Sequence, residues 1–288
     1  MEATSVAGND EVRARLQGMW ATVAGAWAEH ADFVDARGAA VTERLLDLAA
    51  PRPGDRVLEL ACGAGGVGLA AAERVAPGGE VVLSDAVPAM ASAASARAEA
   101  RGLTNVTSCV LDLEQIDEPD GSYDVVLCRE GLMFAVDHAR AASEIRRVLR
   151  PGGRVAVAVW GPRERNPWLG TVLAAVSAQI GAPVPPPGIP GPFALGDSAQ
   201  LAGLLEGADL ADVAVGELAV PARAGSFDEW WARTSALAGP LAKILESLPE
   251  EAVEGIRAHA RAAVRAYEGP NGLELPGVTL LASGRVPA

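Results

Sequence analysis

"VLELACGAGGVGL", Val57 to Leu69, decides the fold of this chain. An apolar run of strand length leads into Gly63-x-Gly65-x-x-Gly68 and then into small residues suited to a helix start. A strand-to-helix turn needs small residues whatever it binds, because they allow positive φ and close backbone approach. The spacing matches the dinucleotide fingerprint, in which a pyrophosphate lies on the helix N-terminus. Glu59, at the strand end, is an acid where such fingerprints rarely hold one.

Outward from this turn the chain alternates strand and helix. Strands are predicted at 56–60, 80–84, 106–111, 123–128 and 154–160, with helices at 66–75, from Pro88 to Gly102, and from an Asp137 cap to Leu149. Nearly unbroken Val/Leu strands in a repeated β-α-β order mean a parallel sheet covered on both faces, with loops and ligands at one edge. Before it, Trp20, Val23, Trp27 and Val34, then Val41, Leu45, Leu46 and Leu48, mark helices up to Pro51. After Trp160 the alternation breaks. A helix around 168–180 precedes "PVPPPGIPGP" (Pro183–Pro192), too proline-rich for a helix or central strand. A helix near 198–206, a strand near 213–220, a helical stretch 227–267 and a last strand around 278–282 follow. The fold class is α/β, a doubly wound Rossmann-like sheet with helical cap segments. The chain reads as one domain: N-terminal helices 8–50, a core 51–161, cap segments 162–196 and 222–270, and closing elements 197–221 and 271–288.

With 24 basic against 37 acidic residues, the net charge of −13 argues against a nucleic-acid partner, since phosphate-backbone binding draws on clustered Lys and Arg. No run approaches the roughly 18 apolar residues of a membrane helix, and no basic-then-apolar leader opens the chain, so a soluble cytoplasmic protein is expected. The three cysteines, Cys62, Cys109 and Cys128, suggest neither a disulfide framework nor a metal site.

Two further features bear on the ligand. Asp85, 22 residues beyond Gly63 at the end of the next strand, suits a ribose diol in any nucleotide reading. Glu59 would repel a pyrophosphate, whereas it suits a ligand whose near end carries an ammonium and a sulfonium. The third strand ends in "LDLEQI", which puts Asp112 where it can accept from an adenine amino group beside Leu113.

From Val57 to Trp160 the chain resembles the class I S-adenosylmethionine-dependent methyltransferases, in the branch similar to ubiquinone/menaquinone-biosynthesis enzymes. "ELACGAG", "SDAVPAM", Asp112-Leu113 and "RVLRPGGR" occur in order at that family's spacing. The resemblance implies a seven-stranded sheet, mostly parallel with an antiparallel last strand, S-adenosylmethionine as cofactor and S-adenosylhomocysteine as product. It implies that Glu59, Ala61, Cys62, Gly63 and Gly65 surround the methionine part. Asp85 would take the ribose, Ala86 and Met90 would flank the adenine, Asp112 and Leu113 would read its edge, and Arg129 with Glu130 would sit at the amino-acid end. Ala61 stands where many members have glycine, which is tolerable if its φ is negative.

Bland readings stand beside these. Glu59 can be a strand-end acid paired with Arg56, Asp112 can close a turn, and Asp137 reads as a helix N-cap. Trp20 and Trp27, seven apart, form a stripe that packing explains. Trp27, Trp168, Trp230 and Trp231 are the candidates for a substrate pocket, with Trp230 and Trp231 unable to face one core together. His30, His138 and Glu130 are the candidate bases, with His259 solvent-facing. The apolar, aromatic cap favours a small hydrophobic acceptor, a quinone, phenol or polyketide-like product of secondary metabolism, with no metal and with a homo-oligomer compatible. Two other readings stay open: a methyltransferase fold that binds the cofactor for a non-methylating reaction, and a nicotinamide-dependent oxidoreductase. The latter lacks a Tyr-x-x-x-Lys pair, since Lys243 is the only lysine.

Overall fold

Strand β1 (Arg56–Leu60) is buried from Val57 onward, which its near-continuous apolar sequence allows because both faces meet protein. A computed structural model describes residues 2–288, with side chains from residue 8. Helices α1 (Glu2–Glu29) and α2 (Ala31–Ala49) precede β1. The core continues as α3 (Val67–Val75), β2 (Glu80–Asp85), α4 (Pro88–Ala100), β3 (Val106–Val110), β4 (Tyr123–Arg129), α5 (His138–Val148) and β5 (Leu149–Trp160). Then come α6 (Pro167–Ile180), α7 (Ser198–Glu206), β6 (Ala211–Ala219) and β7 (Ala222–Ala224). Helices α8 (Phe227–Leu237), α9 (Gly239–Ser247) and α10 (Glu250–Val264) lead to β8 (Glu268–Gly269), β9 (Gly272–Leu275) and β10 (Val278–Arg285).

Seven strands form one sheet in the order β3-β2-β1-β4-β5-β10-β6. The first five are parallel, and β10 runs antiparallel to both β5 and β6. This is the mostly parallel sheet with an antiparallel last strand that the sequence led us to expect. Strand order reverses at β1, which lies between β2 and β4, so the crevice for a ligand opens at the carboxyl ends of these three strands. One face packs Ile145 and Val148 of α5 and Leu201 and Leu205 of α7 against the sheet. The other face packs Leu45 and Leu46 of α2, Val67 and Leu69 of α3, and Ala94 of α4.

Helix starts follow local chemistry. Asp137 and Asp197 accept the backbone N–H of Arg140 and Gln200, at 2.9 and 2.8 Å, and so cap α5 and α7. At α8, Ser226 accepts from Glu229 N, while the Glu229 carboxylate reaches back to Gly225 N. The region predicted as one helical stretch, 227–267, is three helices and a closing 3₁₀ turn. A second sheet, β7-β9-β8, was not foreseen. Its strands are two to four residues long, too short for a period-2 signal, and they are held by the separate apolar core of Trp168, Phe227, Trp230 and Leu275. Strand β5, expected from Arg154, begins at Leu149, which pairs with Tyr123 ahead of the Pro-Gly-Gly turn. Among the described residues no helix is long and apolar enough to cross a membrane.

Candidate active site

The turn after β1 is built around a buried acid. Glu59 is 2% exposed, and its Oε2 accepts the backbone N–H of Gly68 at 2.8 Å. The α3 N-cap, Gly66, has no side chain to offer, so a carboxylate from the strand supplies the missing acceptor and meets the positive end of the helix. Position 68 has to be glycine: a Cβ there would lie 2.2 Å from Leu83 Cδ2 and 2.6 Å from the Glu59 carboxylate. The alternative pairing with Arg56 is not formed, because Arg56 turns to Glu118 and stacks on the Tyr123 ring.

Burial pushes the Glu59 carboxyl up to about 7, against the opposing pull of Arg129 and the Gly68 amide. The native state therefore keeps a proton that the unfolded chain releases above its ordinary carboxylate range. The Glu59 contribution to the stability of the ligand-free protein is full below about pH 4.5 and is lost as pH rises through about 7, about 3 kcal/mol in all. Urea denaturation from pH 5 to 8 should show this decline, and Glu59→Gln should flatten it. Equal slopes in the two proteins would refute the assignment.

Ala61 has φ 51°, in the left-handed region, which corrects the expectation of a negative φ. The chain must bend there to leave β1 under the loop after β4, and the methyl group carries a strain of about 1 kcal/mol. Its neighbour compensates: a Cβ on Gly131 would meet Ala61 Cβ at 2.4 Å, so the methyl fits only against glycine. Glu130, next to that glycine, also has positive φ, 60°. Two strained non-glycine residues thus line the crevice.

A cavity opens on this turn. Its wall brings together Glu59, Ala61, Cys62, Gly63, Asp85, Ala86, Met90, Asp112, Leu113, Arg129 and Glu130 from four separate stretches of chain. Gly65 is not on the wall; its carbonyl instead faces Arg97. Asp85 accepts from Gly63 N with Oδ2 and from Val87 N with Oδ1, both at 2.9 Å, which leaves further lone pairs on each oxygen. Burial raises its pKa, opposed by these two amides. Asp112 closes its own turn by accepting from Glu114 N at 2.8 Å, while Oδ2 meets Arg13 and Gln17 of α1. Arg13 also pairs with the buried Glu114 at 2.7 Å, which draws α1 over the cavity.

A second cavity lies between this crevice and the cap. Trp20, Trp27, Arg129, Glu130, Phe134 and Trp160 line both, so the two spaces share one partition. Trp27 is held in it by a hydrogen bond from Nε1 to Leu237 O at 2.8 Å, and its ring lies against Gly63. Trp168 and Trp230 line the cap side, and Trp230 Nε1 donates to Trp168 O at 3.2 Å. Trp231 does not reach the cavity. One residue along a helix turns by about 100°, so its ring stacks on Phe227 instead.

Of the three candidate bases, the structure brings only Glu130 to a cavity wall. His30 sits at the α1–α2 junction as the cap of α2, and His138 turns its Nε2 toward Met133 O at 3.4 Å. His259 is exposed, as expected. Sequence reasoning missed Trp20 as a wall and missed Arg13, Gln17 and Arg37 altogether. All lie on α1 and α2, whose approach to the sheet edge is a matter of tertiary packing.

Residues 51–175 match a family model described as a methyltransferase domain. The chain is 42% identical over 117 residues to nocamycin O-methyltransferase of Saccharothrix syringae, covering 41% of this chain and 42% of that one. It is 41% identical over 119 residues to demethylmenaquinone methyltransferase of Thermus thermophilus, covering 41% and 53%. The matched segment thus spans about half the length of these curated relatives. In fold, the chain is similar to the YcgJ protein of Bacillus subtilis, with a TM-score of 0.58 at 20% identity over 86% of this chain and 98% of that one. Over residues 51–175 the chain matches a methyltransferase domain, and across that segment it is similar to methyltransferases of the ubiquinone/menaquinone type.

Proposed function

We propose that this protein transfers a methyl group from S-adenosylmethionine to a small, largely hydrophobic acceptor held under the cap. The observation that carries the reading is the pair of cavities sharing one aromatic and charged partition, one lined by cofactor-type residues and the other by tryptophans. The donor set fits the cofactor. Glu59 is a buried carboxylate for which no cation lies within ion-pair distance among the described residues, Asp85 keeps free lone pairs for a diol, and Met90, Leu111 and Leu113 offer an apolar slot for a flat base. When bound, S-adenosylmethionine supplies a methyl carbon already activated by its sulfonium.

The chain's own contribution is positioning and exclusion of water, because an in-line displacement on such a carbon needs little else. Glu59, Ala61, Cys62 and Gly63 surround the amino-acid part with Arg129, Asp85 holds the ribose, and Ala86, Met90, Asp112 and Leu113 take the adenine. Trp20, Trp27 and Phe134 shape the passage between the cavities. Glu130, at that passage, is placed to orient the acceptor or take its proton. We further propose the division of one domain into core, N-terminal helices and cap, with segments 162–196 and 222–270 choosing the acceptor, in a protein that works away from nucleic acid.

Calorimetric titration of the purified chain tests the reading. S-adenosylhomocysteine should bind in the micromolar range and NADH should not. Binding of NADH in place of S-adenosylhomocysteine would overturn it.

A further inference from the structure

Four arginines line the second cavity: Arg37, Arg129, Arg223 and Arg233. Three of them have carboxylate partners, Asp35 for Arg129, Glu274 for Arg223 and Glu229 for Arg233. Arg37, on α2, has no ion pair and no hydrogen bond among the described residues. Its guanidinium lies over the Trp168 ring, 4.0 Å from the centroid, and its Nε is shut off from solvent without a partner. The residue keeps some surface, and that surface faces the cavity. Burial lowers the pKa of the group, with Glu130 opposing and Arg129 adding to the effect; the ordinary value is so high that it stays charged at neutral pH.

A buried guanidinium is stabilised by a partner that accepts from its planar fork, and leaving it without one is costly. The carboxylate whose charge bears on it is Glu130, which makes no ion pair with it and itself lies on the partition between the two cavities. The Trp168 ring fixes the plane of the fork but accepts none of its N–H groups in their own plane. Trp230 and Leu173 complete the wall, so the cavity combines apolar area with one fixed, unspent set of donors.

We propose that the second cavity takes an aromatic or polycyclic molecule bearing an anionic oxygen group, a carboxylate or an ionised phenol or enol, and that Arg37 is the residue that selects it. The identity of that molecule as the methyl acceptor rests on the function proposed above; the binding preference itself does not. An acid held by Arg37 also lies on the side of Glu130 away from the cofactor cavity, so the two charges set the orientation of the ring system along the passage.

The test uses the full chain saturated with S-adenosylhomocysteine and, separately, without it, titrated with 2-naphthoate and with the uncharged 2-naphthamide. Naphthoate should bind about tenfold more tightly than the amide or better. Arg37→Met, which keeps an apolar side chain against Trp168, should remove the preference, and Arg37→Lys should retain part of it. Arg165→Met, which alters an exposed arginine paired with Glu217 and lining neither cavity, should leave it unchanged. Equal affinity of wild type for acid and amide, absence of naphthoate binding, or survival of the preference in Arg37→Met would overturn the proposal. A preference that holds while S-adenosylhomocysteine fails to bind would sustain the anion site and refute the methyl-transfer reading instead.

Discussion

Asp85→Ala is expected to weaken S-adenosylhomocysteine binding by about 100-fold or more in a calorimetric titration. Each hydrogen bond from a ribose hydroxyl to a carboxylate contributes about 1.5–3 kcal/mol, so losing two costs about 3–6 kcal/mol, a factor of at least a hundred. The substitution also leaves the N–H groups of Gly63 and Val87 without their acceptor, so the turn that shapes the cavity loosens at both ends. Asp85→Asn keeps the shape but turns an amide donor toward one of those N–H groups, and it should lose nearly as much affinity. An affinity within threefold of wild type in a folded Asp85→Ala protein would show that the ribose is held elsewhere.

Trp230→Ala should have the largest effect on stability of any substitution in the cap. Trp230 is 4% exposed, packs beside Phe227 and donates to Trp168 O, so removing it opens a cavity and costs about 3–5 kcal/mol. Trp231→Ala, on the outer side of the same helix and only stacked on Phe227, should cost less than about 1.5 kcal/mol. Since the cap core is separate from the two cores that sandwich the main sheet, S-adenosylhomocysteine affinity should stay within about twofold in both variants while naphthoate binding falls in Trp230→Ala. Equilibrium denaturation and parallel titrations read all four quantities. A parallel loss of both affinities in Trp230→Ala would show that cap and core are one unit, and Trp230→Phe separates packing from the lost indole hydrogen bond.

Much of the cofactor-side wall was legible because its residues sit at strand ends. A strand followed by a helix on a parallel sheet delivers its last residues to one edge, so Glu59, Asp85 and Asp112 could be placed together from their positions alone. The local role of Glu59 was not legible. That it caps α3 through Gly68 N depends on which rotamer fits beneath Leu83, and that it is nearly sealed from water depends on the helices laid over it. The histidines misled for a similar reason: His30 and His138 stand close in sequence to wall residues, but helix geometry turns each away, one to a helix junction and the other to a backbone carbonyl.

The amino-acid sequence by itself determined the α/β class, the strand-to-helix turn at Gly63 and the acids around it, because hydrophobic period, glycine spacing and strand ends are local properties carried by neighbouring residues. Only the tertiary structure decided that Ala61 is left-handed against Gly131, that Trp230 and not Trp231 faces the cavity, and that Arg37 stands over Trp168 without a partner among the described residues. Each of these depends on contacts between segments distant in sequence, where burial and the presence or absence of a partner group set the energy, and no local pattern encodes them.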